Sequence, residues 1–303
     1  MQTILITGGT GLIGKAITAL ALEKGYHVRI LTRSPKPAKN GISYAFWNPA
    51  KQEIAPDALI GIDYVIHLAG ENIGENKWTP NQKEEIYNSR KLATELLHSA
   101  LENQENKVKK IIVASAIGFY GNNEGVKPFV ETDKGTDTGF AAEVAIAWEG
   151  YLDKLLETGK PVIKCRVGIV LSNDGGAFPQ MLTPAKMGVG YLGNGKQVLS
   201  WIHIDDIARA FMYFVENAQQ SEIFNLVAPN PVSYTLFCSI LSKVLKMPIL
   251  VPFVPAFVIK LVLGEMSALV LKGSTVSSKH LEASGFKFSY PELDGALKNL
   301  LKK

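Results

Sequence analysis

Cysteine is scarce in this sequence: among 303 residues there are only Cys165 and Cys238, each set inside an apolar run (VIKCRVGIV and LFCSIL). With no CxxC spacing and no histidine cluster, neither a disulfide framework nor a zinc site is in view, so no metal is expected and both thiols are assigned to core packing. An excess of one charge is also missing. The formal net charge of +4 arises from 32 basic and 28 acidic residues spread along the chain, so no basic stripe points to a nucleic acid. Uninterrupted apolar runs of membrane length are absent too. The most lipid-like stretch, residues 251–271, has two prolines near its start and Lys260 and Glu265 further on, and is read as a buried or interfacial helix, with no membrane partner expected. MQTILITGGTG passes straight into a strand and a glycine turn, without the charged and apolar regions of a secretory leader, so a cytoplasmic location is expected.

What is present is an apolar fraction of 47%, enough for a full core and for one large α/β unit with an appended lobe. TILIT, HVRILTR, SYAFW, YVIHLA, KKIIVASA and PVIKCRVGIVL read as buried strands. Between them lie segments long enough for crossover helices, at residues 12–24, 80–101 and 141–156. This alternation predicts a Rossmann-type, doubly wound parallel sheet of the α/β class. After Leu171 the pattern loosens into Gly- and Pro-rich sequence, and WIHIDDIARAFMYFVE then restores a short strand and a helix. The expected division is therefore residues 1–171 plus 201–227 for a dinucleotide-binding domain, and 172–200 plus 228–303 for a smaller substrate lobe.

Directly after the first strand stands Gly8-Gly9-Thr10-Gly11-Leu12-Ile13-Gly14, which satisfies both GxGxxG and GxxGxxG. Gly8 and Gly11 suit a tight turn under a pyrophosphate, Gly14 suits close packing of the following helix on the sheet, and that helix's N-terminus favours an anion. Where an NAD-preferring protein carries an acidic residue, the second strand ends in Arg33, with Lys36 close behind. A guanidinium pairs with a 2′-phosphate that a carboxylate would repel, so NADP(H) is the expected cofactor.

TGGTGLIG, HLAGENI, KWT, the segment from Ser89-Arg90 to Thr94, ASAIGFYG, Trp148-Glu149, RVGIVL and LGNGKQVLSWIHIDDIA together resemble an atypical branch of the extended short-chain dehydrogenase/reductases, the nucleotide-sugar epimerase or NAD-dependent epimerase/dehydratase relatives. The resemblance covers nearly the whole chain. It implies that Leu68, Ala69 and Gly70 line the cofactor path and that Ala114 and Ser115 close the next strand beside the nicotinamide. It also implies a Tyr-x-x-x-Lys helix, whose lysine lowers the tyrosine pKa for proton exchange with a substrate hydroxyl. Here the sequence departs from the family: aligned through Trp148-Glu149, those positions hold Ala141 and Ala145, Ala116 takes the place of the catalytic Ser or Thr, and Arg90 that of the customary Asn.

By their place at a strand end or at the start of the next helix, Ser115, Tyr120 and Glu143 are the candidates for catalysis. Glu71, Asn72 and Trp78, on the loop after the fourth strand, are candidate substrate contacts. His203 is either a structural histidine or a proton donor, and Asp205 or Asp206 is expected to cap the helix after it. Arg166, inside an apolar strand, needs a carboxylate, carbonyls or a ligand anion. Lys186, Lys196 and Arg209 are available as anchors for a diphosphate. Two functions follow as expectations. One is an NADP-dependent oxidoreductase or epimerase acting on a small hydroxyl- or carbonyl-bearing molecule, nucleotide sugars included; the other is a non-catalytic NADPH-binding regulator or scaffold. A homodimer formed through helix faces is compatible with either.

Overall fold

The computed structural model describes residues 2–123, 127–135 and 139–302. In the first half, short β-branched segments give strands β1 (Thr3–Thr7), β2 (His27–Thr32), β3 (Ile42–Asn48), β4 (Glu53–Ile54), β5 (Tyr64–His67), β6 (Lys110–Ala116) and β7 (Val162–Val167). Helices α1 (Leu12–Glu23), α2 (Pro80–Asn103) and α3 (Phe140–Leu152) are the crossovers. Helix α1 buries Gly14, Ile17, Thr18 and Ala21, spaced as one helical face. Helix α2 starts where the Thr79 hydroxyl accepts from the Gln82 N–H at 3.2 Å, with Pro80 in its first turn.

In the second half come β8 (Ile169–Leu171), α4 (Ala177–Lys186), β9 (Val189–Leu192), β10 (Val198–Leu199), β11 (Trp201–His203), α5 (Ile204–Asn217), β12 (Glu222–Leu226), β13 (Val232–Ser233) and α6 (Tyr234–Leu245). They are followed by β14 (Val251–Val254), α7 (Ala256–Leu263), α8 (Ala268–Leu271), α9 (Lys279–Ala283) and α10 (Leu293–Leu301).

The main sheet runs β12-β7-β6-β5-β1-β2-β3-β4, parallel throughout except for the antiparallel β3–β4 edge. From β1 the chain builds outward through β2 and β3, then crosses back to β5 and builds the other way. The reversal opens a crevice between the carboxyl ends of β1 and β5, paired from Ile4↔Tyr64 to Thr7↔His67, where ligands of such sheets bind. This is the expected doubly wound Rossmann-type sheet, with a C-terminal region beside it.

Three expectations need correction. PVIKCRVGIVL is not one strand: a Cβ at Gly168 would lie 2.5 Å from the Ser200 carbonyl oxygen, and past this crossing β8 leaves the sheet to pair with β11. Strand β11 therefore joins β8 rather than the main sheet, which β12 rejoins beside β7. Residues 251–271, expected as a buried or interfacial helix, are not one helix but β14, the short α7, a 3-10 turn and α8. Helix α7 buries none of its residues, leaving Phe257 72% and Leu261 84% exposed. No helix among the described residues is long and apolar enough to cross a membrane.

The main core fills both faces of the sheet and takes in the late residues Leu281 and Phe286, while Phe178, Trp201, Phe237, Leu241 and Leu297 build a second, smaller core. Cys165 lies in the first and Cys238 in the second, and burial pushes both thiols up, Cys238 to about 12, as suits inert packing.

Candidate functional site

The glycine turn fills the crevice between β1 and β5. Gly8 takes φ 68°, and a Cβ there would lie 3.0 Å from the Leu68 carbonyl, so Gly8, Leu68 and Ala69 form one continuous surface. A Cβ on Gly14 would lie 2.4 Å from the Gly8 carbonyl oxygen, so only glycine lets α1 start this close to the strand. Thr10 and Gly11 are exposed, and Leu12 and Ile13 are half-buried. No side chain caps α1 and its first turn has no acidic residue. Its leading N–H groups and positive end are therefore left for an anion, which fits a dinucleotide pyrophosphate. Arg33, just beyond β2, is exposed and, among the described residues, held by no hydrogen bond or ion pair.

A polar chain fixes the other wall. The amides of Leu68 and Ala69 both donate to Thr7 Oγ1 at 3.1 Å. The Thr7 hydroxyl then meets His67 Nδ1 at 2.7 Å, His67 Nε2 meets Thr94 Oγ1 at 3.3 Å, and the Thr94 hydroxyl donates to the Arg90 carbonyl at 2.8 Å. With both hydroxyl protons so directed, the imidazole accepts at Nδ1 and donates from Nε2, as the neutral ring does. Complete burial pulls the His67 pKa down to about 4. The HLAG segment is thereby tied to β1 and α2.

Of the predicted catalytic residues, Ser115 and Tyr120 share one buried network, whereas Glu143 is exposed. Ser115 is 2% exposed and donates to Glu149 Oε1 at 2.8 Å. Glu149 also holds Arg166 side-on, through Nε–Oε1 at 2.8 Å and Nη2–Oε2 at 2.9 Å. Arg166 Nη1 reaches the Tyr120 hydroxyl at 2.8 Å and the Glu131 carbonyl at 3.0 Å, and that hydroxyl donates to Asn225 Oδ1 at 2.7 Å. The partners expected for Arg166, a carboxylate and carbonyls or else a ligand anion, are here Glu149 and the Glu131 carbonyl, so its guanidinium is paired within the protein. Tyr120, expected as a catalytic candidate, is enclosed with it: its ring stacks on Phe129, it is fully buried, and burial pushes its pKa up. Ser115 lies at the end of β6 beside Ala114, but its hydroxyl is spent on Glu149.

Glu143 is exposed on the first turn of α3, where with burial it helps raise the Tyr87 pKa. Ala141 packs against Gly118, with its carbonyl oxygen 3.4 Å from where a Cβ would stand, and Ala145 is 2% exposed, so neither presents a proton-transferring group.

On the loop after β5, the Glu71 amide donates to Ser89 Oγ at 2.9 Å and Asn72 Oδ1 takes the Gly74 N–H at 3.0 Å. Trp78 is half-buried and clamps the loop: Nε1 donates to Ile73 O at 2.8 Å and its ring packs edge-on against Phe140 at 4.7 Å. A Cβ on Gly74 would lie 4.0 Å from Leu269 of α8, and Lys83 of α2 pairs with Glu265 at 2.5 Å, so the C-terminal region meets this loop and α2.

His203 is 1% exposed, accepts the Asp205 N–H at 3.1 Å as the cap of α5, and stacks on Tyr290 at 3.9 Å. Burial pulls its pKa down against Asp205 and Asp206, and its Nδ1 serves the structural role of helix cap. Asp206, instead of capping the helix, binds the Ser289 and Tyr290 amides at 2.8 Å and pairs with Arg209, which removes Arg209 as a free anchor.

Sequence reasoning gave no role to Thr7, His67, Thr94 or Glu149, and none beyond its alignment to Arg90. The signal for His67 was the one that drew attention to Arg166, a polar side chain inside an apolar strand.

The topology and glycine turn define a dinucleotide-binding Rossmann protein of the short-chain dehydrogenase/reductase superfamily. Residues 4–226 match the NAD dependent epimerase/dehydratase family, and the chain belongs to that family; residues 254–300 match a domain of unknown function, DUF1731. An epimerase family protein of Staphylococcus saprophyticus is 36% identical over 304 residues, covering 99% of this chain and all (100%) of its own. Epimerase family protein YfhF of Bacillus subtilis is 36% identical over 303 residues, covering 99% and 98%. Among solved structures, human epimerase family protein SDR39U1 with NADPH superposes with a TM-score of 0.86 at 28% identity, covering 99% of both chains. A UDP-N-acetylglucosamine 4-epimerase of Bacillus cereus shares the fold, at TM-score 0.76 and 19% identity over 99% and 98% of the chains.

Proposed function

We propose that this chain binds NADP(H) along Gly8, Thr10, Gly11, Leu12, Ile13, Gly14, Leu68, Ala69, Gly70 and Ala114. On this reading it acts as an oxidoreductase or epimerase on a small hydroxyl- or carbonyl-bearing molecule, with nucleotide sugars the first class to test. The observation that carries the proposal is the uncapped N-terminus of α1 opening onto a glycine turn, with Arg33 free beyond β2 to meet a 2′-phosphate. The human relative's structure with NADPH supports the choice of cofactor. When bound, the nicotinamide supplies hydride transfer, and the protein orients it and must supply the proton.

In our alignment Ala141 and Ala145 take the places of the family's tyrosine and lysine, and Tyr120 and Ser115 are enclosed in a hydrogen-bonded network. The acids left at the cleft are Glu71, half-buried on the loop after β5, and the exposed Glu143. One of these, or water, exchanges the proton.

A second reading is favoured by Ala141 and Ala145 standing where the acid/base pair would be: a protein that binds NADPH and regulates without turnover. The two are separated by loading the protein with NADPH and following its oxidation, and any product, as pooled metabolites and nucleotide sugars are added. Oxidation or an epimerised product supports the enzyme; tight NADPH binding with neither supports the regulator.

A further inference from the structure

Two arginines are buried at the carboxyl edge of the sheet, and they differ in one respect. Arg166 is 3% exposed and has the side-on edge of its guanidinium, Nε and Nη2, filled by Glu149. Arg90 is 7% exposed, and among the described residues its only hydrogen bond is from Nη1 to the Ile86 carbonyl at 2.9 Å. Its Nε is buried without a partner. Among the described residues no carboxylate lies within ion-pair distance. Glu71 is near enough only to oppose the fall in pKa, to about 10, that burial imposes.

The guanidinium of Arg90 is nevertheless held in place. It lies 4.7 Å over the Trp148 ring, Nη1 is anchored, and a Cβ at Gly70 would stand 3.3 Å from its Cγ and Cζ. Gly70 is exposed, so Arg90 sits directly beneath the surface of the segment that lines the crevice. A buried guanidinium lacking a counter-charge is costly, and a fixed fork with its side-on edge open matches the two oxygens of a carboxylate or phosphate.

We propose that Arg90 is the anion receptor of this cleft, its Nε and Nη2 edge taking two oxygens of a phosphate or carboxylate on the bound ligand. The inference deepens the cofactor reading and rests on it for one of two sources: the anion is either a phosphate of the dinucleotide or the acidic group of the substrate.

Arg90→Gln and Arg90→Lys variants, checked for native circular dichroism, are titrated by calorimetry in two arms. In the first arm NADPH is added to the protein. In the second, inorganic phosphate and malonate are added separately to NADPH-saturated protein, or to free protein if wild type does not bind NADPH. Loss of about 10- to 100-fold in Arg90→Gln, with partial retention in Arg90→Lys, is expected in one arm. Loss in the first assigns the dinucleotide, and loss only in the second assigns the substrate.

Wild-type protein that takes up no NADPH but binds malonate through Arg90 would sink the cofactor reading and leave the receptor standing. A folded Arg90→Gln variant matching wild type in both arms overturns the receptor. If neither variant folds, the wild-type arginine Nε–H resonances are followed in both arms. A shift in the one buried arginine resonance whose NOEs reach the Trp148 ring supports the proposal, and its constancy in both overturns it.

Discussion

Lowering the pH tests whether the polar chain through His67 holds the HLAG wall. In the unfolded chain this imidazole takes a proton near 6.5, whereas in the fold burial delays protonation to about 4. Between those values the unfolded state binds more protons, so unfolding becomes easier as pH falls. The contribution is complete above 6.5 and is lost progressively on the way down to about 4. At about 1.4 kcal/mol for each pH unit of separation, the loss is roughly 3 kcal/mol. Urea unfolding of wild type and His67→Asn at pH 7.5 and pH 4.5 isolates it, because acidic groups elsewhere titrate in both proteins. At pH 7.5 the variant is less stable by about 1–3 kcal/mol, having left Thr7 and Thr94 imperfectly paired. At pH 4.5 the gap closes or reverses, since only wild type must charge a buried ring. A stability difference identical at both pH values would refute the neutral, fully enclosed imidazole.

The other expectations concern the ion pair and the turn. Glu149→Ala leaves Arg166 buried and unpaired and is expected to cost about 3–5 kcal/mol in chemical unfolding, while Glu149→Leu combined with Arg166→Met costs less than either single change. Tyr120→Phe lowers stability by about 1–2 kcal/mol through the orphaned Asn225 and Arg166 partners, and leaves the pH profile of any turnover unchanged; a shifted profile would return Tyr120 to the chemistry. Gly14→Ala drives a methyl against the Gly8 carbonyl and is expected to weaken NADPH binding by at least about tenfold in a fluorescence titration, with retained affinity counting against the assigned cradle.

The sheet and the first helix were legible because burial on both faces forces near-continuous apolar strands, and α1 repeats its buried residues with helical spacing. The glycine turn was legible for a similar reason: Gly14 is required by contacts within a few residues of itself. The fate of Arg166 was not. A buried charge announces that it needs a partner without saying which, and Glu149 stands on a different element, 17 residues away. His67 meets Thr7 across the sheet at a separation of 60 residues, so no local pattern names the pair. Tyr120 was placed near the chemistry by its strand-end position, whereas its hydroxyl is taken by Asn225, 105 residues further along the chain. Helix α7 was misjudged because an apolar composition fixes what a helix could bury, not whether the fold supplies a surface to bury it.

The central claim, an NADP(H) site between β1 and β5 with Arg33 selecting the 2′-phosphate, is tested most directly by titrating the purified protein with NADPH and with NADH. NADPH is expected to bind at least about tenfold more tightly. Equal affinity for the two would remove Arg33 from its role, and binding of neither would contradict the dinucleotide site itself.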